Sequence, residues 1–121
     1  MKKFILIIAL FFGGLALASA QKTKTVAATK TETFEVNGNC GMCRNTIQKA
    51  AKKAGAQTAV WNMETHILKI KYDPKKTSIN TIQKKIAEAG YDNVGATATD
   101  ESYEKLHSCC KYERKAMEVK Q

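Results

Sequence analysis

No paired carboxylates, no Ser/His/Asp set and no phosphate-cradling glycine loop can be picked out of this 121-residue chain, so catalysis has no visible apparatus and the protein is not expected to be an enzyme. Nor is there a basic and aromatic platform for stacking nucleic-acid bases, although Lys and Arg number 20 against 11 Asp and Glu. The lysines, Lys49, Lys52, Lys69, Lys71, Lys84 and Lys85 among them, are scattered at positions that suit solvated faces. That balance serves solubility, with at most a weak attraction to anionic membrane surface, and no nucleic-acid partner is expected. No apolar run reaches the ~20 residues of a membrane-spanning helix. The nearest, Phe4 to Leu17 broken by Gly13 and Gly14, follows Lys2 and Lys3 and precedes Ala18-Ser19-Ala20, the order of a secretory signal peptide. The residue directly after Ala20 is Gln21 and not cysteine, which argues against a lipid anchor. Cleavage at that point gives an exported chain, periplasmic or secreted, of 101 residues from Gln21, with 18 basic and 11 acidic residues and a net charge of +7. Such a chain has room for one small domain and no stable membrane insertion.

Hydrophobic periodicity divides the rest. Residues 21–31 are Thr/Lys-rich without a sustained period and form an expected flexible leader. Phe34 and Val36 alternate with Thr33 and Glu35 as a first strand, beginning near Glu32 and ending at Asn37-Gly38-Asn39. Ile47, Ala50, Ala51 and Ala54 recur at helical spacing from Cys43 to the helix-ending Gly55. Two strands follow around a turn at Glu64-Thr65: Ala59, Trp61 and Met63 supply the inward set of one, Leu68, Ile70 and Tyr72 that of the other. Trp61 and Met63 are therefore expected in the core. His66 shares the parity of Leu68 and is expected to be structural or exposed rather than a ligand. The single proline, in Asp73-Pro74, closes the third strand; Ile79, Ile82 and Ile86 mark a second helix entered at Thr77 or Ser78 and closed by Gly90. Val94, Ala96 and Ala98 form an expected fourth strand. Strand, helix, strand, strand, helix, strand is the order of the ferredoxin-like α+β fold, two helices covering a four-stranded antiparallel sheet. From Asp100, Tyr103, Leu106 and Cys110 fall at i, i+3 and i+7, with acids early and bases late, which predicts an appended helix over residues 100–113.

Four cysteines in a short exported domain would ordinarily indicate two structural disulfides. Here Cys40 with Cys43, and Cys109 with Cys110, are tight local pairs that close almost no loop and would stabilise little. Chemistry at sulfur explains them better, the alternative being a long-range bridge between the pairs. A thiol at a helix start faces unsatisfied backbone N–H groups that favour thiolate, a position the pattern gives to Cys43, with Cys40 in the loop before it. Two converging thiolates select thiophilic ions such as Cu(I) over hard cations, and leave the ion open to transfer. A structural zinc site would want four ligands.

The run Val36-Asn37-Gly38-Asn39-Cys40-Gly41-Met42-Cys43, with the element order through Gly90-Tyr91, resembles the heavy-metal-associated domain family, which includes copper chaperones, periplasmic mercury-binding proteins and N-terminal domains of metal-pumping ATPases. The resemblance covers residues 32–98. It implies Cys40 and Cys43 as metal ligands, a carrier or scavenger of Cu(I) or, alternatively, Hg(II), and a partner that is a metal-transporting ATPase or another cysteine-pair protein. It also implies that Tyr91 approaches the metal to shield or tune it, the alternative being a plain core aromatic. Met42 falls between the cysteines as a second candidate neighbour. It does not replace the family's methionine, since the chain has Gly38-Asn39-Cys40 where the family has Gly-Met-Thr-Cys.

His107, Cys109 and Cys110, in the tail of residues 99–121, form a second group of soft ligands. A helix returning from Asp100 rises ~14 Å by Cys109, near the ~17–20 Å of a strand, so the tail can bring one of them to Cys40 and Cys43. The alternatives are a core role for Cys110 or a vicinal disulfide. Two other functions stand beside the carrier: thiol-disulfide exchange, disfavoured because this element order is not thioredoxin-like, and a structural domain held by Zn(II) or disulfides.

Overall fold

Phe34 is buried while Thr33 and Glu35 on either side are exposed, and this alternation sets the first strand, β1 (Lys30–Glu35), against the core. The computed structural model describes residues 28–114. The expected signal peptide (residues 1–20), most of the leader and residues 115–121 lie outside the described residues. β1 begins at Lys30, ahead of the expected Glu32, because its antiparallel pairing with β3 (Ile67–Tyr72) extends to Lys30 opposite Tyr72. Strand β2 (Ala56–Trp61) pairs with the other edge of β3, giving the order β1-β3-β2.

Two helices cover one face. In α1 (Gly41–Lys53) the buried residues are Cys43, Ile47, Ala50 and Ala51, a single stripe at helical spacing. In α2 (Ile79–Glu88) they are Ile82, Gln83, Ile86 and Ala87, after an N-cap at Ser78 whose hydroxyl accepts from the Thr81 N–H at 3.2 Å. Trp61, Leu68, Ile70, Ile47, Ile82 and Ile86 are nearly or completely removed from solvent and form the centre of the core.

Three expectations are corrected here. The sheet has three strands among the described residues, not four. Asn37 N–H donates to the Asp92 carbonyl at 2.9 Å and Val94 N–H to the Glu35 carbonyl at 3.3 Å, but the chain then folds back on itself. The Asn93 carboxamide oxygen accepts from both Gly95 N–H (3.0 Å) and Ala96 N–H (3.1 Å), a side-chain turn that competes with extension through Val94, Ala96 and Ala98. Gly95 lies against the Gln83 side chain, where any Cβ would collide.

The expected helix over residues 100–113 is also shorter. It is α3 (Asp100–Glu104), N-capped by Thr99, followed by a single 3₁₀ turn at Ser108–Cys110. His107 at φ −57°, ψ 148° leaves helical space, and the remaining chain crosses toward the α1 entrance. Finally, Met63 is 42% exposed, because β2 ends at Trp61 and Asn62 caps a turn by accepting from Glu64 and Thr65 N–H. Trp61 is buried as expected, its indole N–H shared between the Val36 carbonyl (3.1 Å) and the His66 carbonyl (3.2 Å). His66 has the positive φ of 60° and stacks on the Trp61 ring, a structural role.

Candidate metal centre

The loop from β1 to α1 is laid over the Trp61 ring. A Cβ on Gly38 would stand 2.8 Å from two ring carbons, so only glycine lets the backbone pass this close. The loop delivers Cys40 to the N-cap of α1 and Cys43 to its first turn. Helix geometry then brings their sulfurs to 3.6 Å.

The helix-start position expected for Cys43 belongs to Cys40. The backbone N–H of Cys43 close to the Cys40 sulfur, opposed by burial and helped by the Cys43 and Cys110 thiols and the Met42 N–H, lowers the Cys40 pKa to about 7. Cys40 is partly exposed whereas Cys43 is buried, so one thiol faces solvent and the other faces the core.

The tail places a third sulfur beside them. Cys110 Sγ lies 3.7 Å from Cys40 Sγ, and the three sulfurs of Cys40, Cys43 and Cys110 are all within 4.8 Å of one another. Cys110 is 2% exposed. Burial raises its pKa, and the neighbouring Cys43 and Cys40 thiols add to the rise. Its neighbour Cys109 is exposed, with its sulfur 3.5 Å from that of Met42. His107 is exposed and lies outside the three-sulfur group. All four cysteines are free thiols.

Tyr91, in the loop after α2, is 1% exposed. Burial first, then the Cys43 and Cys110 sulfurs beside its hydroxyl, hold its pKa above the ordinary value. Its ring stacks on Tyr112, with centroids 5.9 Å apart.

Tyr112 and Arg114 are the residues that the sequence pattern did not single out. The Tyr112 hydroxyl donates to the Gly90 carbonyl and accepts from Asp92 N–H, both at 2.8 Å. The Arg114 guanidinium grips Asp92 through two 2.8 Å bonds and reaches Asp100 and the Ala98 carbonyl as well. Burial alone would raise the Asp92 carboxyl, but Arg114 and the Ala98 N–H together carry it below its ordinary value. The signal available in the sequence was a pair of aromatics, Tyr103 and Tyr112, in a mostly polar tail.

The sequence matches the heavy-metal-associated domain over residues 33–92. A mercuric transport protein periplasmic component from Pseudomonas aeruginosa is 37% identical over 82 residues, which are 66% of this chain and 89% of that protein. The chain belongs to the heavy-metal-associated domain family. A copper-exporting P-type ATPase from Staphylococcus saprophyticus is 35% identical over 78 residues, or 58% of this chain; the chain spans only 10% of that ATPase. Among solved structures, oxidized MerP from Ralstonia metallidurans superimposes with a TM-score of 0.52 at 35% identity, over 55% of this chain and 94% of that one. A CopZ metallochaperone gives 0.51 at 27% identity, over 53% and 98%. The Cys40-Cys43 loop of this heavy-metal-associated domain lies inside the matched segment, and Cys109, Cys110, Tyr112 and Arg114 lie beyond it.

Proposed function

We propose that the protein is an exported carrier or scavenger of a thiophilic metal, foremost Cu(I), which it binds through Cys40 and Cys43 and exchanges with another cysteine-pair protein such as a metal-transporting ATPase. The observation that carries this reading is the 3.6 Å approach of the two sulfurs at the start of α1, one of them held close to ionisation at neutral pH. Soft thiolates favour Cu(I) and Hg(II) over harder ions. Each ligating thiol gives its proton to solvent, so affinity rises with pH. The partly exposed Cys40 is the point of attack for an incoming ion or thiolate, while Cys43, and Tyr91 behind it, exclude water from the inner side.

Export is inferred from Lys2, Lys3, the apolar run and Ala18-Ser19-Ala20, with support from relatives named as periplasmic components. Those relatives are named for mercuric transport and match over most of their length, which supports Hg(II) as the second reading. The test is titration of the reduced protein with Cu(I) against a chromogenic chelator, and with Hg(II) in parallel, for the wild type and for Cys40→Ser with Cys43→Ser. One-to-one binding that disappears in the double variant is expected. Absence of competitive binding of either ion by the wild type would reject the carrier reading, and activity in an insulin-reduction assay would replace it with thiol-disulfide exchange.

A further inference from the structure

Cys110 lies outside the segment matched to the family, yet it is the residue that the tail buries against the cysteine loop. Residues 106–114 form a strap anchored on both sides of it. Before it, Leu106 packs over Gly90, where a Cβ would stand 2.9 Å from a leucine methyl. After it, Tyr112 is bonded to Gly90 and Asp92, and Arg114 clamps Asp92. Next to it, the Asn39 carboxamide N–H donates to the Cys109 carbonyl at 3.3 Å, a bond from the cysteine loop itself. The strap is thereby tied to the loop at the point where the side chain of Cys110 enters.

The sulfur spacing discriminates between coordination numbers. With metal–sulfur bonds of about 2.3 Å, a linear two-thiolate centre separates its sulfurs by about 4.6 Å and a trigonal centre by about 4.0 Å. Cys40 stands 3.6 Å from Cys43 and 3.7 Å from Cys110, both nearer the trigonal spacing than the linear one, and all three sulfurs lie within 4.8 Å of one another. Cys109, one residue away, points to solvent beside Met42.

Resting on the carrier reading above, we propose that the strap supplies Cys110 as a third thiolate, making with Cys40 and Cys43 a three-sulfur site for a soft d¹⁰ ion, and that a bound ion in turn holds the strap down. The reciprocity is thermodynamic: whatever docks the strap raises metal affinity, and the metal raises strap docking by the same factor. The third sulfur also closes the inner side of the site, which favours retention over rapid release.

The test is X-ray absorption of the reduced full chain loaded with one equivalent of Cu(I), for the wild type, Cys110→Ser, Cys110→Ala and Cys109→Ser, with chelator competition alongside. Three sulfurs are expected around copper in the wild type and in Cys109→Ser, and two in both Cys110 variants. Affinity should fall at least about tenfold on loss of Cys110, the lower end of what even an outer partner of a metal ligand costs. The alanine variant keeps the buried position apolar should serine disturb it, and circular dichroism reports folding in each. Two sulfurs in the wild type, with Cys110→Ser unchanged, would overturn the three-sulfur site while leaving the Cys40 and Cys43 carrier intact. Loss of the third sulfur in Cys109→Ser instead of the Cys110 variants would likewise overturn it. Unchanged binding after removal of Cys40 and Cys43 would remove the carrier reading and this inference together.

Discussion

Replacing Arg114 by alanine removes no sulfur, and so it isolates what strap docking contributes to the metal site. In the folded protein the guanidinium makes two 2.8 Å bonds to Asp92, whose side chain is 7% exposed, and one 2.7 Å bond to the Ala98 carbonyl. A fully buried ion pair broken on one side costs about 3–5 kcal/mol. Arg114 is 26% exposed and Asp92 keeps the Ala98 N–H as a donor, so about 2 kcal/mol is the appropriate share here. The bond to the solvent-exposed Asp100 contributes at most about 1 kcal/mol. The cation lying 5.1 Å from the Tyr103 ring centre adds about 0.5–1 kcal/mol. Because these contributions share one side chain and are not additive, we predict about 2–3 kcal/mol less strap docking, felt as local opening rather than global unfolding because the core of β1, β2, β3, α1 and α2 does not use the guanidinium. Amide exchange reads this directly: Cys110 N–H, bonded to the His107 carbonyl, and Asp92 N–H, bonded to the Tyr112 hydroxyl, should exchange roughly 30- to 150-fold faster if they open with the strap. Cu(I) affinity should fall as well, by up to the same factor. The pH dependence has a defined sign. A carboxyl whose folded pKa is depressed stabilises above its unfolded value, ~3.9, and that stability is lost as pH falls through the lower folded value. The stability difference between wild type and Arg114→Ala should accordingly be complete at neutral pH and shrink below about pH 4. Unchanged exchange at Cys110 and Asp92 together with unchanged Cu(I) affinity would refute the coupling.

Three further outcomes follow from the site. Cys40 should be alkylated by iodoacetamide with a half-maximal rate near pH 7, ahead of the buried Cys110; mass spectrometry of the peptides checks it, and preferential labelling of Cys110 at that pH would contradict the assignment. Gly38→Ala should destabilise the domain by about 1–3 kcal/mol through overpacking against Trp61 and Ile47, measured by urea unfolding followed through the single tryptophan; a loss below about 0.5 kcal/mol would show that the loop can lift off the ring. Cu(I) should pass faster to an acceptor with one cysteine pair from Cys110→Ser than from wild type, since one metal–sulfur bond fewer has to break. Stopped-flow transfer measures this, and equal rates would assign retention to some other group.

The core elements could be read from sequence because their information is local. Ile47, Ala50, Ala51 and Ala54 on one helix, or Leu68, Ile70 and Tyr72 on one strand, declare their periods within a few residues, and Gly55 and Gly90 take the positive φ values, 111° and 106°, that end their helices. The cysteine loop is legible for the same reason, though a shift of the helix start from Cys43 to Gly41 moves the activated thiol to Cys40. The fourth strand failed because three alternating residues are a short pattern, and a single carboxamide, that of Asn93, offered two N–H groups a better acceptor than a sheet edge. Met63 failed similarly, to the Asn62 turn.

The tail contains two competing periods, and the contest decides which of its vicinal cysteines meets the metal loop. Tyr103, Leu106 and Cys110 fit a helix, the reading that predicts one over residues 100–113. From Cys109 onward the residues also alternate: Cys110 and Tyr112 are apolar, while Lys111 and Glu113 are charged. The helical reading holds only through Glu104; from the 3₁₀ turn onward Cys110 and Tyr112 are buried and Cys109, Lys111 and Glu113 exposed, an alternation that a turn, and not a continued α-helix, produces. This path prevails because it carries Tyr112 to Gly90 and Arg114 to Asp92, partners more than 20 residues upstream that no local propensity registers. With Tyr112 facing inward to make those bonds, the 3₁₀ turn that leads into it sets Cys110 inward and Cys109 outward. Inserting one glycine between Cys110 and Lys111 should therefore break the alignment of the Cys110 sulfur with the Tyr112 and Arg114 anchors, and leave a bound soft ion with either a docked strap or a third thiolate, but not both.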